Sequence, residues 1–190
     1  MCSSDLLEDF QSLIEPQPPG WTQYPSGGGS GSKCLKLSGS QKSVTGDSKW
    51  SDYLLEATVM LKEPQGNAGL IFRVNDPGPG ADQMRGYYVG FDTKTLYLGK
   101  MNNGWRSLAT LDLTGRPNLV ALDSWNLLRV AVEGARIRVW FNPLHDDTRP
   151  VFDMQDDAGP VRAGAVGVRT YQTSAWFDDV AVLPVSVLRD

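Results

Sequence analysis

The sequence predicts an all-β protein, a β-sandwich of two antiparallel sheets packed face to face, on three observations. Apolar residues recur with period two from Lys33 onward, and turn signals break these runs at short intervals. No amphipathic segment of three helical turns appears after residue 15. Period two sends successive side chains to opposite faces of a strand, so an alternating run has one face to bury. About a dozen short strands with close turns build a sandwich or barrel.

Taken in order, Met1 to Asp9 reads as a short helical turn around Leu6 and Leu7. It lacks the basic start and long apolar stretch of an export signal. Residues 16–32 read as loop: Pro16, Pro18, Pro19 and Gly20 lead into Trp21, and 27–32 spell GGGSGS. Such a run suits a flexible surface tip, placed at 25–32. In the strand over 53–61 the odd positions are apolar, while Glu56 and Thr58 interleave. Ala68, Leu70, Phe72 and Val74 share one face of the next strand, with Gly69, Ile71 and Arg73 opposite. Tyr87, Val89 and Phe91 alternate in the same way, and Tyr88 points the other way.

Leu96–Leu98 follow a turn at Thr93-Lys94, and Asn102-Asn103-Gly104 before Trp105 is the best hairpin signal in the chain. Residues 125–133 and 136–141 form another pair, joined at Gly134-Ala135. Trp125 is in phase with Leu127 and Ala131 and is assigned to the core; Trp140 lies opposite Val139 and Phe141. Two closing strands run over 164–171 and 176–183, separated by a Gln-Thr-Ser turn.

Length and composition bound the function. The 190 residues suit one domain over 1–190, with its core between about residues 5 and 183. A net charge of −4 is a poor footing for nucleic acid, and no apolar run approaches the roughly 20 residues of a membrane helix. One His and two Cys are too few for a zinc site. Any Ser-His-Asp or Cys-His mechanism has to run through His145, which sits in the loop Asn142 to Asp147. The six Trp, six Tyr and six Phe, with 20 Gly and 12 Pro, fit strands and turns.

Candidate ligand-binding residues follow from phase. Glu56, Arg73 and Arg169 lie on strands opposite the main apolar sets. Such positions hold either solvated charges and ion pairs or the floor of a ligand-lined depression. Small polar ligands are held by planar polar side chains and by aromatic faces, and Arg presents parallel donors to neighbouring oxygens. Tyr88, Trp105, Tyr171 and Trp176 are the stacking candidates, with packing as the alternative for each. The pairs Asp146-Asp147, Asp156-Asp157 and Asp178-Asp179 are adjacent in sequence, so on a strand they would point to opposite faces. No catalytic residue is assigned.

Several blocks occur in a recognisable order: Leu7-Glu8-Asp9-Phe10 with Gly20-Trp21, Trp50 to Ala57, Gly66 to Val74, Gly86 to Gly90, Leu98-Gly99-Lys100, Trp125 to Val130, Gly164 to Arg169, and Phe177-Asp178-Asp179-Val180. In this order the chain resembles the concanavalin A-like jelly-roll domains appended to glycoside hydrolases, in particular the levanase-type carbohydrate-binding modules of family 66. The resemblance implies a jelly-roll sandwich that binds a polysaccharide or oligosaccharide without cleaving it, with levan and its terminal fructose as the ligand class. It implies a secreted or cell-surface setting, and a chain that is monomeric or part of a larger enzyme. Jelly-roll modules of this kind also hold a structural calcium near the chain ends, where Asp9 and Asp179 are the plausible contributors. Catalytic jelly-roll glucanases carry a Glu-x-Asp-x-x-Glu strand, which this sequence lacks. Two alternatives stay open: a hydrolase of the jelly-roll 3-keto-glycoside type, and a laminin-G-like adhesion or structural domain. Cys2 and Cys34 are either bridged or two thiols.

Overall fold

The computed structural model describes residues 23–25, 33–115, 120–143 and 149–188. His145, Cys2, Asp9, Trp21 and the GGGSGS run lie outside them. The described residues form β1 (Gln23–Pro25), β2 (Lys33–Thr45), β3 (Tyr53–Leu61), β4 (Asn67–Asn75), β5 (Arg85–Phe91) and β6 (Thr95–Asn102). They continue with β7 (Trp105–Asp112), β8 (Trp125–Glu133), β9 (Arg136–Phe141), β10 (Phe152–Gln155), β11 (Ala165–Leu183) and a 3-10 turn, Val185–Leu188. The two predicted hairpins form, with Asn103 and Gly134 taking the positive φ angles of 52° and 56°.

All pairings are antiparallel, and the ladder runs β10-β9-β8-β3-β11-β4-β5-β6-β7, with β2 along the other side of β11. The two closing strands expected from sequence are one bent strand. β11 pairs with β4 over Ala165–Tyr171 and with β3 over Ala175–Leu183. Between them lies a bulge, where Gln172 adopts a φ of 52°. The Gln-Thr-Ser segment therefore bends the strand without ending it, and β11 passes from one sheet to the other. One sheet is β10-β9-β8-β3 with the end of β11; the other is the start of β11 with β4 to β7.

The inner faces meet in a single core. Leu55, Ala57 and Val59 of β3 and Leu128, Val130 and Val132 of β8 pack toward Leu70, Phe72, Tyr87, Val89, Phe91 and Leu98 of the opposite sheet. Each such side chain, once fully buried, contributes about 1.5–3 kcal/mol. Tyr87 points inward and Tyr88 outward, as their phase requires.

Two phase assignments change. The β4–β5 register shifts between Phe72 and Asn75, so Val74 leaves the face of Ala68, Leu70 and Phe72 and joins the outer cluster of Ile71, Met84, Tyr88 and Met101. In β8 the residues facing the core are Leu128, Val130 and Val132, so Trp125 stands on the outer face and not in the core. Further along that face, Ala131 packs with Leu54 and Trp140 beneath Leu183 and Val185.

Candidate functional site

The outer face of the β11-β4-β5-β6 sheet carries glycines in two neighbouring rows. Across the strands, Arg169 stands opposite Gly69, Gly69 opposite Gly90, and Gly90 opposite Tyr97; in the next row Tyr88 stands opposite Gly99. The glycines leave room for large rings to lie flat. A Cβ on Gly90 would sit 2.0 Å from the Tyr88 hydroxyl, and one on Gly99 would sit 2.1 Å from the Trp105 ring. Tyr88 and Trp105 meet edge to face, with centroids 5.8 Å apart.

Arg169 lies over this floor. Its guanidinium is 4.4 Å from the centroid of Tyr88 and 5.2 Å from that of Tyr171, so the cation lies against two aromatic rings. Nε and Nη2 donate to Asp82 Oδ1, and Nη1 donates to Asn67 Oδ1 at 3.0 Å. The Tyr88 hydroxyl donates to the same Asn67 oxygen at 2.7 Å. Burial pushes the Tyr88 phenol well above its ordinary pKa, so it stays neutral. Asp82 comes from the β4–β5 loop, which Lys42 ties down through the carbonyls of Gly78 (2.6 Å) and Gly80 (2.5 Å). Burial lowers the pKa of Lys42, with Asp82 acting against that shift and Arg169 adding to it.

Together Asn67, Asp82, Tyr88, Tyr97, Trp105, Arg169 and Tyr171 line a pocket of about 270 Å³. Asp82 is 36% exposed there, and its Oδ2 takes no hydrogen bond from the described residues. Trp105, at 42%, is the most exposed large apolar side chain among them. Arg169 itself is 5% exposed, so the pocket offers a small polar ligand the Asp82 carboxylate, the aromatic faces of Trp105 and Tyr171, and the edge of the guanidinium. Among the described residues that line the pocket, Asp82 is the single carboxylate, and it is bound to Arg169.

Four of the seven residues selected by phase, Tyr88, Trp105, Arg169 and Tyr171, thus stand in one pocket. The other three do not. Arg73 is fully enclosed, because the bulge turns it into the end of the sandwich. There Nε and Nη2 donate to Ser51 O, Nη1 to Gly134 O and Val161 O, and Nη2 also to Asp52 Oδ1, which occupies all five donors. Nothing is left for a ligand. Glu56 is directly opposite Arg129 and accepts from its Nε at 2.8 Å. Trp176 is flanked by the ammonium groups of Lys36 and Lys62, 3.9 and 4.4 Å from its ring centroid. Both belong to the outer face of the other sheet, so the thickness of the sandwich separates them from Arg169.

Asn67, Asp82 and Tyr97 were missed. The available signal was glycine at the outward phase of three neighbouring strands, at Gly69, Gly90 and Gly99, which marks a face kept clear for something flat. Of the calcium candidates, Asp179 is half-buried on the other sheet, with Thr58 Oγ1 3.4 Å from its carboxylate; burial raises its pKa. Among the described residues no three His, Cys, Asp or Glu side chains group as metal ligands. Cys34 is buried.

A family profile described as the 3-keto-alpha-glucoside-1,2-lyase-like domain matches residues 10–183. A levanase from Bacillus sp. (strain L7) is 26% identical over 135 residues, which are 71% of this chain but 13% of that enzyme. The chain thus corresponds to a small part of that relative's length. Among solved structures, the carbohydrate-binding module CBM66 from Bacillus subtilis superposes with a TM-score of 0.64 at 22% identity, covering 86% of this chain and 95% of that one. A Bacillus subtilis protein of unknown function with a galectin-like fold gives 0.60 at 18% identity, covering 86% and 89%. The resemblance read from the ordered blocks therefore holds at the level of fold.

Proposed function

The chain belongs to the 3-keto-alpha-glucoside-1,2-lyase-like domain family, and we propose that this member is a non-catalytic carbohydrate-binding module. The observation that carries the reading is the Arg169 pocket, where one guanidinium, one carboxylate and four aromatic rings converge on a cleared sheet face. Its volume lies just below the roughly 300–1,000 Å³ of pockets for larger ligands, which suits a single terminal sugar ring. Trp105 and Tyr171 supply the apolar platform, Arg169 donates to neighbouring hydroxyls, and Asp82 Oδ2 accepts from one.

The levanase relative and the CBM66 fold support a β-fructan as the ligand class. They also support a role in bringing an attached glycoside hydrolase to its polysaccharide, in a secreted or cell-surface setting. Calorimetry with levan and inulin, preceded by a glycan array, tests this. Wild type binds, and Trp105→Ala weakens binding at least fivefold, since a ring covering about 40–100 Å² of apolar sugar surface is worth about 1–2.5 kcal/mol. Binding to no glycan, or full affinity without the Trp105 ring, overturns it.

The family description itself favours a second reading, β-elimination from a 3-keto-glucoside. That reaction needs a base to take the proton next to the ketone, and Asp82 is the carboxylate among the described residues that line the pocket. Incubation with a 3-keto-disaccharide distinguishes the two: product release abolished in Asp82→Asn supports the lyase, and its absence leaves the binding module.

A further inference from the structure

Trp105 has a second side. Beyond it, a groove of about 650 Å³ opens between the β6–β7 hairpin and the segment before β11, lined by Arg85, Lys100, Asn102, Trp105, Arg106 and Val161 among others. Among the described residues no carboxylate lines it. We propose that this groove is the subsite for the next part of the glycan chain, and that it selects glycans carrying a carboxylate or sulfate there. The inference rests on the Arg169 pocket being the sugar site, because Trp105 is the wall that pocket and groove share.

The wall opposite is fixed, so the groove exists before any ligand arrives. Lys100 Nζ donates to Asp156 Oδ2 at 2.6 Å and to the carbonyls of Ala158 and Gly159 at 3.1 and 2.5 Å. The Tyr87 hydroxyl donates to Asp156 Oδ2 at 2.7 Å and accepts from Val161 N at 2.9 Å. Asp156 is buried behind the groove and its charge is answered by Lys100. That leaves the two arginines. Arg106 is half-exposed, and its nearest carboxylate oxygen is 3.7 Å away, beyond hydrogen-bond distance. Arg85 is exposed and forms no ion pair among the described residues. Register places Arg106 opposite Lys100 and Arg85 opposite Asn102, so both flank Trp105 at one end of the sheet.

In a protein of net charge −4, Arg85, Arg106 and Lys100 set three positive charges against the single buried carboxylate of Asp156 beside an exposed Trp; that surplus favours an anionic ligand, and guanidinium geometry matches carboxylate or sulfate oxygens. The sugar in the pocket itself needs no charge.

The test compares matched glycans by calorimetry at low and raised NaCl: oligogalacturonides against their methyl esters, and sulfated against unsulfated galactan, with levan as the neutral control. The charged member of a pair is expected to bind about tenfold more tightly at low salt, an advantage that salt erodes. The exposed double variant Arg85→Ala/Arg106→Ala should abolish that advantage, bringing the charged member of each pair to the affinity of its neutral partner. Equal binding within pairs, or an advantage that survives the double variant, overturns the anionic subsite. Levan binding with every acidic glycan ignored overturns it too while leaving the sugar pocket standing. Failure of every glycan to bind overturns the pocket itself, and the subsite with it.

Discussion

Gly99→Ala tests the position of the Trp105 ring separately from its presence. Gly99 has ordinary extended backbone, so alanine is not strained there. The added methyl, however, would stand 2.1, 2.3 and 2.6 Å from three atoms of the Trp105 ring. Ordinary contact begins near 3.4 Å, so the ring has to retreat outward by about 1.3 Å. That places it off the sheet and into the space a ligand needs. A gap of 0.5–1 Å already forfeits a quarter to a half of a dispersion contact. Applied to a stacking term of about 1–2.5 kcal/mol, the variant should lose about 0.25–1.25 kcal/mol of affinity, roughly 1.5- to eightfold. Because Trp105 is 42% exposed, the fold loses little, and Tm should fall by no more than about 4 °C. Calorimetry against the tightest-binding glycan reads the affinity, and differential scanning calorimetry reads the fold. Wild-type affinity in Gly99→Ala would refute the reasoning, because a platform that can be displaced without consequence is not a platform.

Three further outcomes separate scaffold from site. Arg73→Ala orphans the carbonyls of Ser51, Gly134 and Val161; at about 1–3 kcal/mol each, thermal denaturation should show a Tm lower by about 6 °C or more, with the affinity of the remaining folded protein unchanged. For Asp156, burial pushes the pKa up, but hydrogen bonds from Lys100 and Tyr87 outweigh it, and the folded value lies below the ordinary one. Its contribution is therefore present above about pH 4, the unfolded value, and lost as pH falls through the lower folded value. Denaturant titrations should show a flatter acid limb in Asp156→Asn than in wild type. Glu56→Gln and Trp176→Ala lie on the far sheet and should leave glycan binding within twofold of wild type; a larger loss in either would move the site.

The strands were legible because alternation is a local signal: 53–61, 125–133 and 136–141 read from sequence with the bounds they have in the structure. The outward direction of Tyr88 and Arg169 was legible for the same reason. What could not be read was anything that depends on a change of phase. The bulge after Phe72 moves Val74 to the outer face and Arg73 into the sandwich end, and the bulge at Gln172 joins two expected strands into one. Which outer face each residue occupied was equally hidden. Glu56 and Arg169 are both outward, yet on opposite sides of the molecule, because sheet membership is set by long-range pairing. Asp82 was invisible for a third reason: it reaches Arg169 from a Pro- and Gly-containing loop with no period to read.

Arg73 and Arg169 show how much turns on one residue of register. Both follow apolar residues in neighbouring paired strands, and alternation gives them one reading, a cation on an outer face. Arg169 keeps regular pairing with Gly69 and Lys42 on either side and stays on that face. Tyr88, Tyr171, Asn67 and Asp82 hold it there, against a pocket in which its guanidinium can meet a ligand. Arg73 takes a φ of 51° at the bulge, loses that face, and spends every donor on the loops at 51–52, 134 and 161. Those loops close the end of the sandwich where β8–β9 and the approach to β11 meet, and Val161 also lines the groove beside Trp105. The enclosed arginine therefore anchors the wall of the groove, while the outward one lies in the proposed sugar pocket. An assignment from residue type and phase alone has no means of separating the two, and the bulge does.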